Sequence, residues 1–238
     1  FSMGAGLKSQ EKYQWVYKVG LCCMGAFLVL AHLSMVFYPG GTNADALTEG
    51  YLLSQNFFSD LGRYRTFSGE SKLFGMVIYV IGVLAASLGM VLYFLHAPKL
   101  YDKSQRLLSW CGSVAGVFSG LCFAAVALTP WDIVPDLHGY FVKTAFPAFL
   151  VTSLFYTIVT FRSKSTANIY AWTFLSYSAV LLGYLYLLFF GPAANTENGR
   201  FIQAFGQKVV IYAQALCLII QLNWARTTVF QGSELAHS

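Results

Sequence analysis

The stretch Leu73-Phe74-Gly75-Met76-Val77-Ile78-Tyr79-Val80-Ile81-Gly82-Val83-Leu84-Ala85-Ala86-Ser87-Leu88-Gly89-Met90-Val91-Leu92-Tyr93-Phe94-Leu95 carries no charged residue. It is longer than the about 20 residues that an α-helix needs to cross roughly 30 Å of hydrocarbon. Runs of the same kind recur on both sides of it, at 17–37, 107–128, 139–161, 169–190 and 201–224. Lys143 interrupts the fourth near one end, where a long side chain can reach the interface. The expected fold is all-α: a polytopic membrane protein, one domain over 1–238, built as a bundle of six transmembrane helices.

The composition agrees. Of 238 residues, 57% are hydrophobic and 11% charged, which is far from a soluble domain. The formal charge of +5 follows from basic loop residues and calls for no nucleic-acid partner. Cys22, Cys23, Cys111, Cys122 and Cys217 all fall inside spans, with neither CxxC nor metal spacing, and read as packing residues. Phe1-Ser2 ahead of Met3 reads as a cloning remnant. The first run is too long for a signal-peptide core, so it is expected to be retained.

Six spans sort the connections into two sets. One holds both termini and two short loops, with Lys8, Lys12, Lys18, Lys99, Lys103, Arg106, Arg162, Lys164 and Arg226. The other holds the 38–72, 129–138 and 191–208 segments, with fewer basic residues and most of the acidic ones. The positive-inside rule then puts both termini in the cytoplasm.

In the third span, Gly112, Gly116 and Gly120 lie four apart, a ridge that lets another helix approach closely. Gly75, Gly82, Ala86 and Gly89 offer a partner surface, and a homo-oligomer seam is the alternative. Pro147 should kink the fourth span. Arg200, Gln207, Gln214 and Gln221 recur every seven residues in the sixth, a polar stripe that must face other helices or a cavity.

Between the first two spans, Asn56, Ser59, Asp60 and Arg63 fall at i, i+3, i+4 and i+7. That spacing predicts an interfacial helix at the outer surface, with Phe57, Phe58 and Leu61 turned away from the polar face. The segment at 129–138 adds Asp132 and His138, with Lys143 one turn deeper, and the sixth span adds Gln207 and Lys208. A catalytic reading uses Ser59 as nucleophile, Asp60 as base or orienter and His138 as proton carrier. Asn56, Arg63, Asp132, Lys143, Gln207 and Lys208 would bind the substrate, their cations suiting a phosphate or carboxylate. There is no GxSxG elbow, and no HxxxH or HExxH, so neither metal nor other cofactor is expected. His32 reads as a hydrogen-bonding partner for a neighbouring helix.

Residues 50–63, an aromatic and a polar stretch leading to Ser59-Asp60-Leu61-Gly62, resemble the first outer loop of the DUF998 family of bacterial and archaeal six-helix membrane proteins. A histidine opening the fourth helix, His138 here, fits too. That resemblance implies a fold and no activity. A weaker one is to DRAM/Sfk1-type proteins, which also have six helices. The Asn56-x-x-Ser59 spacing is similar to the early motif of alkaline ceramidases, but the paired late histidines of those seven-helix zinc amidases are missing. Three functions stay open: a hydrolase or transferase acting on a membrane lipid, a lipid-binding or sensing protein without turnover, and, third, a small-solute transporter.

Overall fold

The structure, a computed structural model, describes residues 3–234 and the side chains of residues 13–228. Phe1-Ser2 and His237 lie outside the described residues. Six helices carry the fold: α1 (Met3–Val36), α2 (Leu73–His96), α3 (Arg106–Leu128), α4 (Pro135–Arg162), α5 (Asn168–Phe190) and α6 (Glu197–Glu234). All six are long and apolar enough to cross a membrane.

The distribution of side chains says the same. On α3 the outward face holds Leu107, Val114, Phe118, Leu121 and Leu128, while the inward face holds Ser109, Gly112, Ser113, Gly116, Ser119 and Gly120. A helix in water shows the opposite arrangement. Apolar bulk turned outward on helices of membrane-spanning length fits a lipid surround. Cys22 and Cys111 sit on this outward side rather than in the packing.

Each helix packs against its neighbours in sequence, and α6 returns against α1, so the six form a closed ring. Small residues set the spacing, though not as the sequence suggested. A Cβ on Gly116 would lie 2.5 Å from the Phe94 ring of α2, and one on Gly112 would lie 2.9 Å from Phe155 of α4. The ridge on α3 therefore fits between bulky side chains. The small residues of α2 look elsewhere: Gly82 faces Leu30, and Gly89 faces Met24 and Cys23, all on α1. α4 continues through Pro147. At one end the ring is filled by Tyr17, Tyr93, Tyr156 and Phe174, each at most 1% exposed. The other end is covered by residues 37–72, the long connection between α1 and α2.

The expected interfacial α-helix is not there. Residues Phe58–Gly62 form a single 3-10 turn, entered and left through extended backbone at Phe57 and Arg63. Burial explains the difference. Asn56 and Asp60, on the supposed polar face, are as deeply buried as Phe58 and Leu61 on the supposed apolar one. With both faces covered, nothing favours an amphipathic helix, and side chains replace its backbone bonds. Asp60 Oδ2 accepts from Phe57 N at 2.8 Å, and Asn56 Oδ1 accepts from Leu52 N at 2.9 Å. Short polar side chains bonding locally in this way compete with helix.

Candidate functional site

The 3-10 turn is gripped from several sides. The Lys208 ammonium of α6 donates to the Asn56 carbonyl, and the Lys72 ammonium donates to the Leu61 carbonyl. Gln207 Oε1 accepts from Phe58 N at 2.6 Å. The Phe58 ring is 1% exposed and packs beside Phe27, Tyr79 and Tyr212, one ring from each of α1, α2 and α6. The Asn56 amide, also fully buried, donates to the Gly41 carbonyl at 3.0 Å. Gly41 has a φ of +88°, and a Cβ there would fall 2.6 Å from Ser68 N, so glycine is required. From the side, Asp132 accepts from Tyr64 N and Arg65 N at 3.0 and 2.8 Å, one bond to each carboxylate oxygen. A carboxylate bridging two successive amides staples the α1–α2 connection to the α3–α4 connection.

That scaffold leaves two chambers in the middle of the ring. The upper one, a cavity of about 330 Å³, lies under the long connection and is lined by Ser59, Asp60, His138, Lys143, Gln207 and Trp131 among others. The lower one, a narrow shaft of about 80 Å³, descends between α1, α2, α3, α4 and α6 and is walled by Phe27, Val83, Met90, Phe146, Ile211 and Leu218. Ser59, His138, Val142 and Gln207 line both. They form a waist, polar on three of its four members.

His138 is oriented at that waist. Its Nδ1 lies 2.6 Å from the Thr129 carbonyl oxygen, and Trp131 packs edge-on against the ring. A carbonyl oxygen can only accept, so Nδ1 carries the hydrogen and the neutral ring keeps its lone pair on Nε2. Ser59 is half-buried, and among the described residues its hydroxyl has no protein hydrogen-bond partner. Asp60 uses Oδ2 to accept from Phe57 N and, more weakly, from Asn56. Burial pushes its carboxyl above the usual carboxylate range, against the opposing pulls of the Phe57 amide, Arg63, Asn56 and Lys208.

The nine residues expected at a site therefore divide. Ser59, Asp60, His138, Lys143 and Gln207 line the upper chamber. Asn56, Arg63, Asp132 and Lys208 line neither chamber and hold the walls in place. Arg63 stacks 4.1 Å over Phe67, itself a wall of the upper chamber, and donates from Nε to the Arg65 carbonyl. No protein-family model, curated protein or solved structure matches this chain. Its chemistry has to be read from the geometry.

Sequence reasoning missed several residues of the site. Val142 follows His138 by four on the same helix face, a spacing that could have been read. Trp131 lies beside the noted Asp132. Lys72 gave no signal, because a lysine ahead of a span ordinarily reads as an interface anchor. Here it is 4% exposed and 5.2 Å over the Tyr38 ring, and burial lowers its pKa from 10.5 to about 7. Among the described residues no three of His, Cys, Asp and Glu are gathered as metal ligands would be.

The stripe on α6 is buried at every step: Arg200, Gln207, Gln214 and Gln221 are 2%, 7%, 7% and 0% exposed. Gln214 Oε1 accepts from the Tyr177 hydroxyl, and Gln221 donates to the Tyr170 carbonyl and to Thr173, tying α6 to α5. His32 bonds Tyr212 at 3.0 Å and joins α1 to α6.

Proposed function

We propose that this chain is an integral membrane hydrolase or acyl transferase that works on a lipid ester or amide. Both termini would be cytoplasmic and the chambered end would face the outer leaflet. The observation that carries this reading is that Ser59 and His138 border two chambers at once, an upper one lined in part by Asp60 and Lys143 and a lower one lined by no Asp, Glu, Lys or Arg. A lipid with its chain in the lower chamber and its headgroup in the upper one would present its polar junction to those two side chains. His138 Nε2 would accept the Ser59 proton as Oγ attacks the acyl carbonyl, then return it to the leaving alcohol or amine. Water or a second alcohol would release the acyl group by the reverse route. Gln207 spends its oxygen on Phe58 N, so its amide nitrogen, which also faces Tyr184, is the end that would donate an N–H to the developing oxyanion. Lys143, exposed on the upper wall, suits an anionic headgroup. The likeness of residues 50–63 to DUF998 proteins is compatible with this fold and adds no activity.

One observation favours a second reading. His138 Nδ1 rests on a backbone carbonyl where hydrolytic triads have a carboxylate, so nothing stabilises an imidazolium strongly. On that reading the same chambers bind a lipid and release it unchanged. Purified protein presented with lysophosphatidylcholine and an N-acyl amide lipid separates the two, with released fatty acid measured by mass spectrometry. The catalytic reading expects release by the parent, and loss in both Ser59→Ala and His138→Gln with monodispersity kept. Release that survives both substitutions overturns it, and lipid retained by the parent without product leaves the binding reading in its place.

A further inference from the structure

We infer that the lower chamber is a length gauge for one acyl chain, with Ala215 and Leu218 of α6 setting the longest chain accepted. The inference rests on the lipid reading above.

Three features of the cavity carry it. The first is the entrance. The waist shared with the upper chamber is made by four side chains, from the 3-10 turn, α4 and α6. Anything that enters the lower chamber from the upper one passes between these four side chains, which points to monoacyl lipids or to one chain of an acyl donor. The second is the depth. The lining on α6 runs from Gln207 through Ala215 to Leu218, placing Ala215 about 12 Å and Leu218 about 16 Å below the waist at the helical rise per residue. The lining on α2 runs from Tyr79 to Met90, a descent of about 16 Å as well. The third is the floor. Met24, Met90 and Leu218 are each at most 2% exposed, and one turn beyond Met90 the ring is plugged by Tyr93, which is fully buried. Along the axis of the ring these side chains stop a chain from going deeper.

The floor also rejects a polar tail. Gln214 lines the chamber near its base, but its oxygen accepts from Tyr177 and its nitrogen lies 3.4 Å from Met90 Sδ. With both ends of the amide turned to protein, what remains there is hydrocarbon and thioether. Methionines adapt their shape, so the floor should tolerate neighbouring chain lengths while imposing an upper limit.

The test measures binding, in the Ser59→Ala background, so that turnover does not enter. Native mass spectrometry follows a homologous series of saturated lysophosphatidylcholines and finds the chain length of tightest retention. Ala215→Phe puts a ring across the shaft and should move the optimum several carbons shorter, with at least a tenfold loss for the longest member. Ala215→Leu should act in the same direction more weakly, and serves if the Phe variant does not remain monodisperse. Leu218→Ala deepens the floor and should move the optimum longer. A diacyl phosphatidylcholine should not compete. An optimum unmoved by all three substitutions, or a diacyl lipid that competes equally, overturns the gauge while leaving the lipid reading standing. Failure of every series member to bind the parent overturns the lipid reading itself.

Discussion

Gly116→Ala is the smallest change that tests the helix ring. The new Cβ would sit 2.5 Å from two atoms of the Phe94 ring, where ordinary contact begins near 3.4 Å, so the ring would have to retreat by about 1 Å. Phe94 is fully buried, with Tyr93, Phe149 and Tyr156 at centroid distances of 5.0, 5.8 and 5.6 Å. It has no free side to move toward. Adding atoms to so tight a core costs about 1–3 kcal/mol, which exceeds the about 1 kcal/mol that alanine gains over glycine in a helix. The net effect should be a lowered Tm in detergent, and Gly116→Leu should abolish monodisperse protein. Gly183 supplies the control. It lies in α5 with nothing within 4 Å of its missing Cβ, so Gly183→Ala should be neutral or slightly stabilising. Thermal unfolding followed by tryptophan fluorescence and by size-exclusion recovery reads both. Equal Tm values for Gly116→Ala and Gly183→Ala would refute the packing described for α2 and α3.

Lys72 makes stability depend on pH. Its folded pKa, about 7 against 10.5, means that between those values the unfolded chain holds a proton the folded chain lacks, so stability rises with pH across that window. The contribution is full above about 10.5 and gone below about 7; the slope is on the order of 1 kcal/mol per pH unit, and Lys72→Met should flatten it in a pH series of melting curves. Asp132→Ala removes the staple between the two connections and should cost about 1–2 kcal/mol. A Tm that does not change, with substrate affinity reduced, would instead give Asp132 a binding role. For topology, cysteines replacing exposed Lys103 and Lys164 should label from the cytoplasmic side, and those replacing exposed Asp45 and Asn195 from the other. Labelling of all four from one side contradicts the proposed orientation.

The six spans could be read from the sequence because each is decided locally, by apolar length against bilayer thickness. The polar stripe on α6 could be read for a related reason. An amide in hydrocarbon needs a partner, and the Gln214 oxygen and the Gln221 nitrogen find theirs on α5. What escaped was set by tertiary contact. The i, i+3, i+4, i+7 pattern of Asn56, Ser59, Asp60 and Arg63 imitates an amphipathic helix, yet the residues sit in a buried 3-10 turn held by Lys72, Lys208 and Gln207. Nothing in the spacing tells a lysine that reaches water from one that reaches a carbonyl. The glycines of α2 likewise do not declare whether they meet α1 or α3. Ser59, Asp60 and His138 were legible as candidates by residue type, whereas the apolar shaft beneath them was not, because its walls come from five helices distant in sequence.

The proposed function requires a lipid to lie through the waist. Its most direct measurement is an experimental structure of the Ser59→Ala protein in a nanodisc containing lysophosphatidylcholine. One continuous tube of acyl density is expected from the upper chamber, past His138 and Val142, to Leu218, with Ser59 and His138 within reach of its polar junction. A lower chamber closed by side chains, with lipid confined to the outer surface of the ring and the two residues more than roughly 10 Å apart, would contradict it.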